Sequence, residues 1–207
     1  MRPFIHINCA MSADGKIAGS DRTQVRISGE EDMARVKELR RKYDAVLVGV
    51  GTVVADDPHL TIKGASYDEN PVRVVIDPHG RMPAGSQVID GRAPTVILTD
   101  SSCDTIWNNV NTVRCGTPFD LVRAMEALSE LGIENVLVEG GGATIASFFE
   151  HGLVDRYTVF VGAMIIGGRD SPTPADGDGW IAGKGVPLKL KSAEILGNGV
   201  LMTYEVR

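Results

Sequence analysis

Residues 133–149 read IENVLVEGGGATIASFF, and this stretch decides the fold. Its first half is a run of Ile, Val and Leu that ends in Glu139, as suits a buried strand, and its second half has apolar residues at helical spacing. Gly140, Gly141 and Gly142 stand between the two halves. A strand that passes into a helix through glycines leaves bare backbone N–H groups at the positive end of the helix dipole, where a phosphate can approach. The same triplet also suits a tight turn that needs glycine for positive φ and binds nothing. The residues of the turn alone leave both readings open. They do exclude two common nucleotide motifs. The third glycine of a dinucleotide fingerprint falls on Ile145, and no Lys-Ser or Lys-Thr pair follows the glycines as a P-loop requires.

Around this unit the chain has 207 residues, 43% of them apolar and 23% charged, which suits a single globular domain over 1–207. A net charge of −6 argues against a nucleic-acid or anionic-membrane surface, since both are bound through excess Lys and Arg. Cys9, Cys103 and Cys115 form no C-x-x-C pair, so there is no zinc pattern and no metal is expected. Asp14 and Lys16 interrupt the N-terminal apolar run too early for a signal peptide, and no run approaches the roughly 18 apolar residues of a membrane span. A cytoplasmic protein is the expectation.

Strand and helix alternate on both sides of the glycine unit. Phe4 to Ala10 reads as a first strand, stopped by Ala13-Asp14-Gly15-Lys16, with Ser12 and Asp14 at its carboxyl end. Ser28 and Glu31 have capping-box spacing, and Met33, Val36, Leu39 and Tyr43 predict a helix from about Gly29 to Tyr43. Ala45–Gly49, Val72–Asp77 and Thr95–Asp100 read as strands. Thr52 is placed to cap a short helical turn that Asp57-Pro58 ends. Thr117, with Pro118 behind it, predicts the start of a helix buried along Leu121, Met125, Leu128 and Leu131, with Gly132 as its stop. After a strand over Tyr157–Ala163 and a loop over Asp170–Gly185, Asn198-Gly199 predicts a closing hairpin. The predicted class is α/β, a mostly parallel central sheet flanked by helices with an antiparallel C-terminal hairpin.

In order and spacing, Ser12-Ala13-Asp14-Gly15-Lys16, Gly51-Thr52 with Ala55-Asp56-Asp57-Pro58 and Leu60-Thr61, Val72-Arg73-Val74-Val75-Ile76-Asp77, and Val138-Glu139-Gly140-Gly141 with Leu153-Val154-Asp155 resemble the reductases of riboflavin biosynthesis across nearly the whole chain. That resemblance implies a dihydrofolate-reductase-like fold, a homodimer and NADPH-dependent reduction of a ribosylaminopyrimidine 5′-phosphate to its ribitylamino product. Bacterial members typically carry a zinc deaminase ahead of the reductase. No H-x-E with a downstream P-C-x-x-C occurs in this chain, so it resembles the stand-alone archaeal and fungal enzymes, which act on the 2,5-diamino compound.

The resemblance also implies roles for particular residues. Ala10, Thr52, Asp56, the turn Asp77-Pro78-His79-Gly80-Arg81 and the turn Gly140-Gly141-Gly142-Ala143-Thr144 fall at cofactor-binding positions. Glu139 matches an acid that contacts substrate and is the candidate catalytic group, while Arg40, Leu60 and Lys63 match positions around the sugar phosphate. Lys63 stands where bacterial members usually carry arginine and offers a point charge in place of a bidentate fork. Arg26 stands where they tend to have tryptophan and is expected to supply a further basic contact. Two other readings have distinct consequences: a pterin or folate reductase of the same fold, and a non-catalytic NADPH-binding module.

Overall fold

The computed structural model describes residues 1–206. Its elements in chain order are β1 (Phe4–Ser12), α1 (Glu30–Arg40), β2 (Ala45–Gly49), α2 (Val50–Asp56), β3 (Val72–Ile76), β4 (Thr95–Thr99), β5 (Asn111–Arg114), α3 (Leu121–Glu130), β6 (Asn135–Gly140), α4 (Gly142–Glu150), β7 (Arg156–Gly162), β8 (Leu188–Leu196) and β9 (Gly199–Val206). The fold is α/β: β1–β7, β2–β3, β3–β4 and β4–β5 pair parallel, while β9 pairs antiparallel with both β7 and β8. The chain forms two compact units, one of Met1–Phe4 and Leu39–Val138, the other of Ile5–Glu38 and Glu139–Arg207.

In the first unit the strand order is β5-β4-β3-β2-β6, and β2–β3, β3–β4 and β4–β5 are parallel. All five residues of β2 and all five of β4 are buried, which is why these strands read as continuous apolar runs without alternation. Val46, Val48, Val75, Ile97 and Leu137 meet Val53 of α2 and Leu60 of the following segment in one core. Each such side chain contributes roughly 1.5–3 kcal/mol by leaving water. The short β5 has no buried residue and was not foreseen, because a four-residue strand of Asn, Thr, Val and Arg carries almost no apolar signal.

Two predicted helix starts are corrected. α2 begins directly after Gly49, which is extended at φ −80° and ψ 155°, so Thr52 lies inside the helix and caps nothing. α3 is capped by Asp120, whose carboxylate accepts the N–H groups of Val122 (2.9 Å) and Arg123 (3.0 Å), while the Thr117 hydroxyl donates to Asp100 at 2.9 Å. A carboxylate at the N-cap satisfies two otherwise unpaired donors and favours the dipole, which a hydroxyl three residues earlier does not reach.

In the second unit β1 pairs with β7 in parallel, β7 with β9 and β9 with β8 antiparallel, in the order β1-β7-β9-β8. Here α1 departs from its predicted stripe: Met33 is 52% exposed, and Asp32 at 1% is the residue turned inward. Its carboxylate accepts the Ser28 hydroxyl and Arg35 Nε (2.8 Å), and Arg35 also donates to Asn8 Oδ1 of β1 at 2.8 Å. A buried charge survives only when paired in this way, so the polar network, and not an apolar face, fixes this part of α1. Nearby, burial and then the positive charges of Arg156 and Arg35 push the His6 imidazole down to about 3, so it stays neutral beside Thr158 Oγ1 at 2.7 Å.

Candidate functional site

The carboxyl ends of parallel strands are where α/β sheets present binding groups. In the first unit the end of β2 leads into α2, where Thr52 is half-buried in the first turn and Asp56 is the exposed last residue. Partial desolvation at the helix end pushes the Asp56 carboxyl above its ordinary value. The end of β3 carries the turn 77–81. Asp77 is fully buried and accepts the N–H groups of Arg81 (3.0 Å) and Met82 (2.8 Å). Its carboxylate therefore builds the turn, and the Pro78 and Gly80 carbonyls accept the Asp100 N–H and the Thr105 hydroxyl, which leaves the His79 and Arg81 side chains as the groups that can face a ligand. His79 and Arg81 are exposed. Gly80, at φ +68°, lies against Thr105, and an added Cβ would come within 2.1 Å of Thr105 Oγ1, so the turn closes only on glycine.

Three expected substrate residues also lie in this unit. Leu60 is buried at 4% and has φ +52°, a backbone shape a leucine adopts only under constraint. Lys63 follows it, exposed. Arg40, the last residue of α1, donates from Nη1 to the Thr61 carbonyl at 3.2 Å, which ties it to the same segment.

The second unit holds the remaining candidates. Glu139 and Gly140 end β6, both half-buried, and Gly141 at φ +83° turns the chain into α4 without offering a side-chain cap. The first-turn N–H groups at Gly142, Ala143 and Thr144 are thus left uncapped by that residue, with no Cβ on Gly141 or Gly142 to bar an anion. One flank of the turn is closed. An added Cβ on Gly142 would lie 2.4 Å from the Thr173 carbonyl oxygen and 2.6 Å from Asp176 Oδ2. Asp176 donates its N–H to the Gly142 carbonyl (3.1 Å) and accepts the Thr173 N–H (3.0 Å) and hydroxyl (2.7 Å). The segment around Thr173 and Asp176 escaped the sequence reading because its partner is distant in the chain and its composition says only loop.

Ala10 sits half-buried on β1 opposite Phe160 and packs on the cluster of Ile27, Phe160 and Leu201. Arg26 is exposed on the excursion between β1 and α1. That excursion is folded: Ala18 and Gln24 form an antiparallel bridge, and Ile27 packs on Gly162, where any Cβ would be 2.7 Å from Ile27 Cγ2. The Ser12–Lys16 turn at the end of β1 is closed by Ser12 Oγ, which donates to Asp14 (2.6 Å) and accepts the Lys16 N–H (2.9 Å). Asp14 in turn accepts the N–H groups of Ile166 (3.1 Å) and Gly167 (2.7 Å). The hydrogen bond from Ser12, then those from the backbone, hold its carboxyl down at about 2.

The profile of the RibD C-terminal domain family matches residues 3–202. The chain belongs to this family. Among its relatives, the 2,5-diamino-6-ribosylamino-4(3H)-pyrimidinone 5′-phosphate reductase of Methanothermobacter thermautotrophicus is 41% identical, with all of both chains covered. The Archaeoglobus fulgidus protein of the same name is 36% identical over 98% of each chain. A deaminase/reductase of Thermotoga maritima superposes with a TM-score of 0.84 at 28% identity, covering 100% of this chain and 57% of that one. The dihydrofolate-reductase-like α/β fold of the RibD C-terminal domain family is therefore the fold of this chain. As a member of that family it is an oxidoreductase of the riboflavin-biosynthesis type.

Proposed function

We propose that this chain uses NADPH to reduce 2,5-diamino-6-ribosylamino-4(3H)-pyrimidinone 5′-phosphate to the ribitylamino compound, delivering hydride to C1′, and that residues 1–207 work as one reductase domain. The observation that carries the proposal is full-length similarity to stand-alone reductases of that name, joined to an uncapped glycine turn placed directly after Glu139. The glycine turn fits an anionic cofactor, with N–H donors for a pyrophosphate. On the other cofactor segment, His79 and Arg81 are exposed on a turn whose shape Asp77 fixes, and they suit the 2′-phosphate that distinguishes NADPH from NADH. Thr52, Asp56, Ala10 and Gly140–Thr144 complete the proposed cofactor set. Arg26, Arg40, Leu60, Lys63 and Glu139 form the proposed substrate set.

The reaction needs no protein nucleophile. The ribosylamine opens to an imine, which takes up a hydride at C1′ and a proton at nitrogen. NADPH, when bound, supplies the hydride. The chain's task is to hold the imine carbon in place, stabilise positive charge on the imine and exclude water. Glu139 is the carboxylate suited to that charge, and Lys63 and Arg40 carry the positive charge that a sugar phosphate requires.

We further propose a cytoplasmic homodimer. The described residues include no helix long and apolar enough to cross a membrane. On the open edge strand β8, Leu188, Leu190 and Ile195 are 39%, 55% and 86% exposed, an apolar edge that a second copy would cover. A solution mass of about twice 22.1 kDa is the expected reading, and a monomer mass would dispose of the dimer.

NADPH absorbance tests the activity, with the diamino compound, its deaminated counterpart and dihydrofolate offered in parallel. Oxidation with the diamino compound alone is expected. Preference for the deaminated compound would reverse the order of steps, and turnover of dihydrofolate would move the chain to pterin reduction. NADPH binding without turnover of any substrate would favour the non-catalytic module.

A further inference from the structure

Arg73, the second residue of β3, is wholly buried at 0% exposure and is among the largest fully buried side chains. A guanidinium in such a place has to be satisfied at every donor, and this one serves loops and not a ligand. Its Nε donates to Thr95 Oγ1 at 3.0 Å and Nη2 to the Ala93 carbonyl at 2.8 Å. Its Nη1 reaches Asp90 Oδ1 (2.8 Å) and the carbonyls of Gln87 (3.1 Å) and His59 (3.4 Å). Asp90 continues the network to His59 Nδ1 at 3.2 Å. Burial alone would raise the Asp90 carboxyl, but the hydrogen bonds from Arg73 and Arg92 outweigh it and hold the group below its ordinary value.

These contacts converge on residues 57–62. Gln87 donates its N–H to Asp57 Oδ1 (2.7 Å) and its side-chain amide to the Asp57 carbonyl (2.6 Å). Farther along, the Ile62 N–H donates to the buried Asn70 Oδ1 at 2.7 Å. Between these ties the backbone is left-handed at two residues that are not glycine, Asp57 at φ +41° and Leu60 at φ +52°. Such a conformation costs on the order of 1 kcal/mol or more per residue and persists only where the surroundings dictate it.

We infer that Arg73 is a positioning residue: its fork, through His59, Gln87 and Asp90, holds the constrained segment that presents the backbone of Leu60 and the side chain of Lys63 to the sugar phosphate of the substrate. This rests on the substrate role proposed above for that segment. Only a planar, five-donor group spans these acceptors, so lysine does not replace it.

The test compares Arg73→Lys and Asp90→Ala with wild type. The second variant removes one Nη1 acceptor that is 21% exposed and leaves the Thr95, Ala93, Gln87 and His59 acceptors in place, so it perturbs folding less than Arg73→Lys, which alters every contact of the fork. Hydrogen exchange of peptides covering 57–63 is expected to rise in both, while peptides from the second unit keep their protection. The KM for the pyrimidine phosphate is expected to rise on the order of tenfold, with the KM for NADPH unchanged, because a displaced loop loses alignment and not chemistry. Unchanged exchange at 57–63 overturns the inference whatever the activity. Faster exchange across both units, or equal changes in the two KM values, also overturns it, since Arg73 would then be structural only. Lys63→Ala separates the underlying reading: if it leaves the pyrimidine KM unchanged, the segment is no substrate contact, and the inference falls on that ground and not on the exchange result.

Discussion

Replacing Glu139 by glutamine lowers kcat/KM for the pyrimidine phosphate by roughly 10²–10³-fold and leaves NADPH affinity within about a factor of two. The two side chains have the same shape and differ in charge, so the substitution isolates what a carboxylate does for a developing iminium. Glu139 is half-buried at the end of β6, where screening by water is weaker than at a free surface. Steady-state kinetics combined with fluorescence titration of NADPH separates the two effects. A loss confined to NADPH affinity would show that Glu139 serves the glycine turn and not the substrate.

Gly142→Ala carries the second large effect. The new methyl would meet the Thr173 carbonyl oxygen at 2.4 Å and Asp176 Oδ2 at 2.6 Å. Asp176 can swing away, but the carbonyl belongs to the backbone, so the segment 173–176 has to leave the turn and give up the Asp176 N–H bond to Gly142. Overpacking of this kind costs about 1–3 kcal/mol of stability. NADPH affinity is expected to fall by an order of magnitude or more as the turn distorts, since each 1.4 kcal/mol of lost contact is about tenfold. Thermal unfolding and NADPH titration of the same preparation report both quantities. Wild-type values for each would mean that the 173–176 segment does not constrain the turn.

The legible parts of the chain were those in which local pattern and tertiary environment agree. β2, β4 and β6 are buried, largely apolar runs, β3 is one apart from Arg73, and α4 follows a glycine turn, so each was visible in a few residues. Asn198-Gly199 likewise announced the β8–β9 hairpin, although the two-residue turn is Gly197-Asn198 and Gly199 already pairs with Leu196. The reading failed where a polar residue faces inward. Asp32 reverses the expected stripe of α1 because Arg35 and Ser28 pay for its charge, and no periodicity encodes that pairing. The caps went astray for a related reason. Thr52 and Thr117 are plausible N-caps in sequence, but a strand that runs straight into α2, and a carboxylate at Asp120, took their places. For the candidate site, the glycine turn and the 77–81 turn were recognisable as segments. The positioning contacts were not: Arg73 looked like one residue of a strand, and its acceptors lie 14 to 22 positions away in sequence.

The most direct measurement follows the hydride itself. NADPH carrying deuterium at the transferred C4 position is mixed with the enzyme and 2,5-diamino-6-ribosylamino-4(3H)-pyrimidinone 5′-phosphate, and the product is analysed by mass spectrometry and NMR. The account predicts a ribitylamino product with one deuterium, located at C1′. Deuterium at any other carbon, or oxidation of the cofactor with no label in the pyrimidine product, would contradict it.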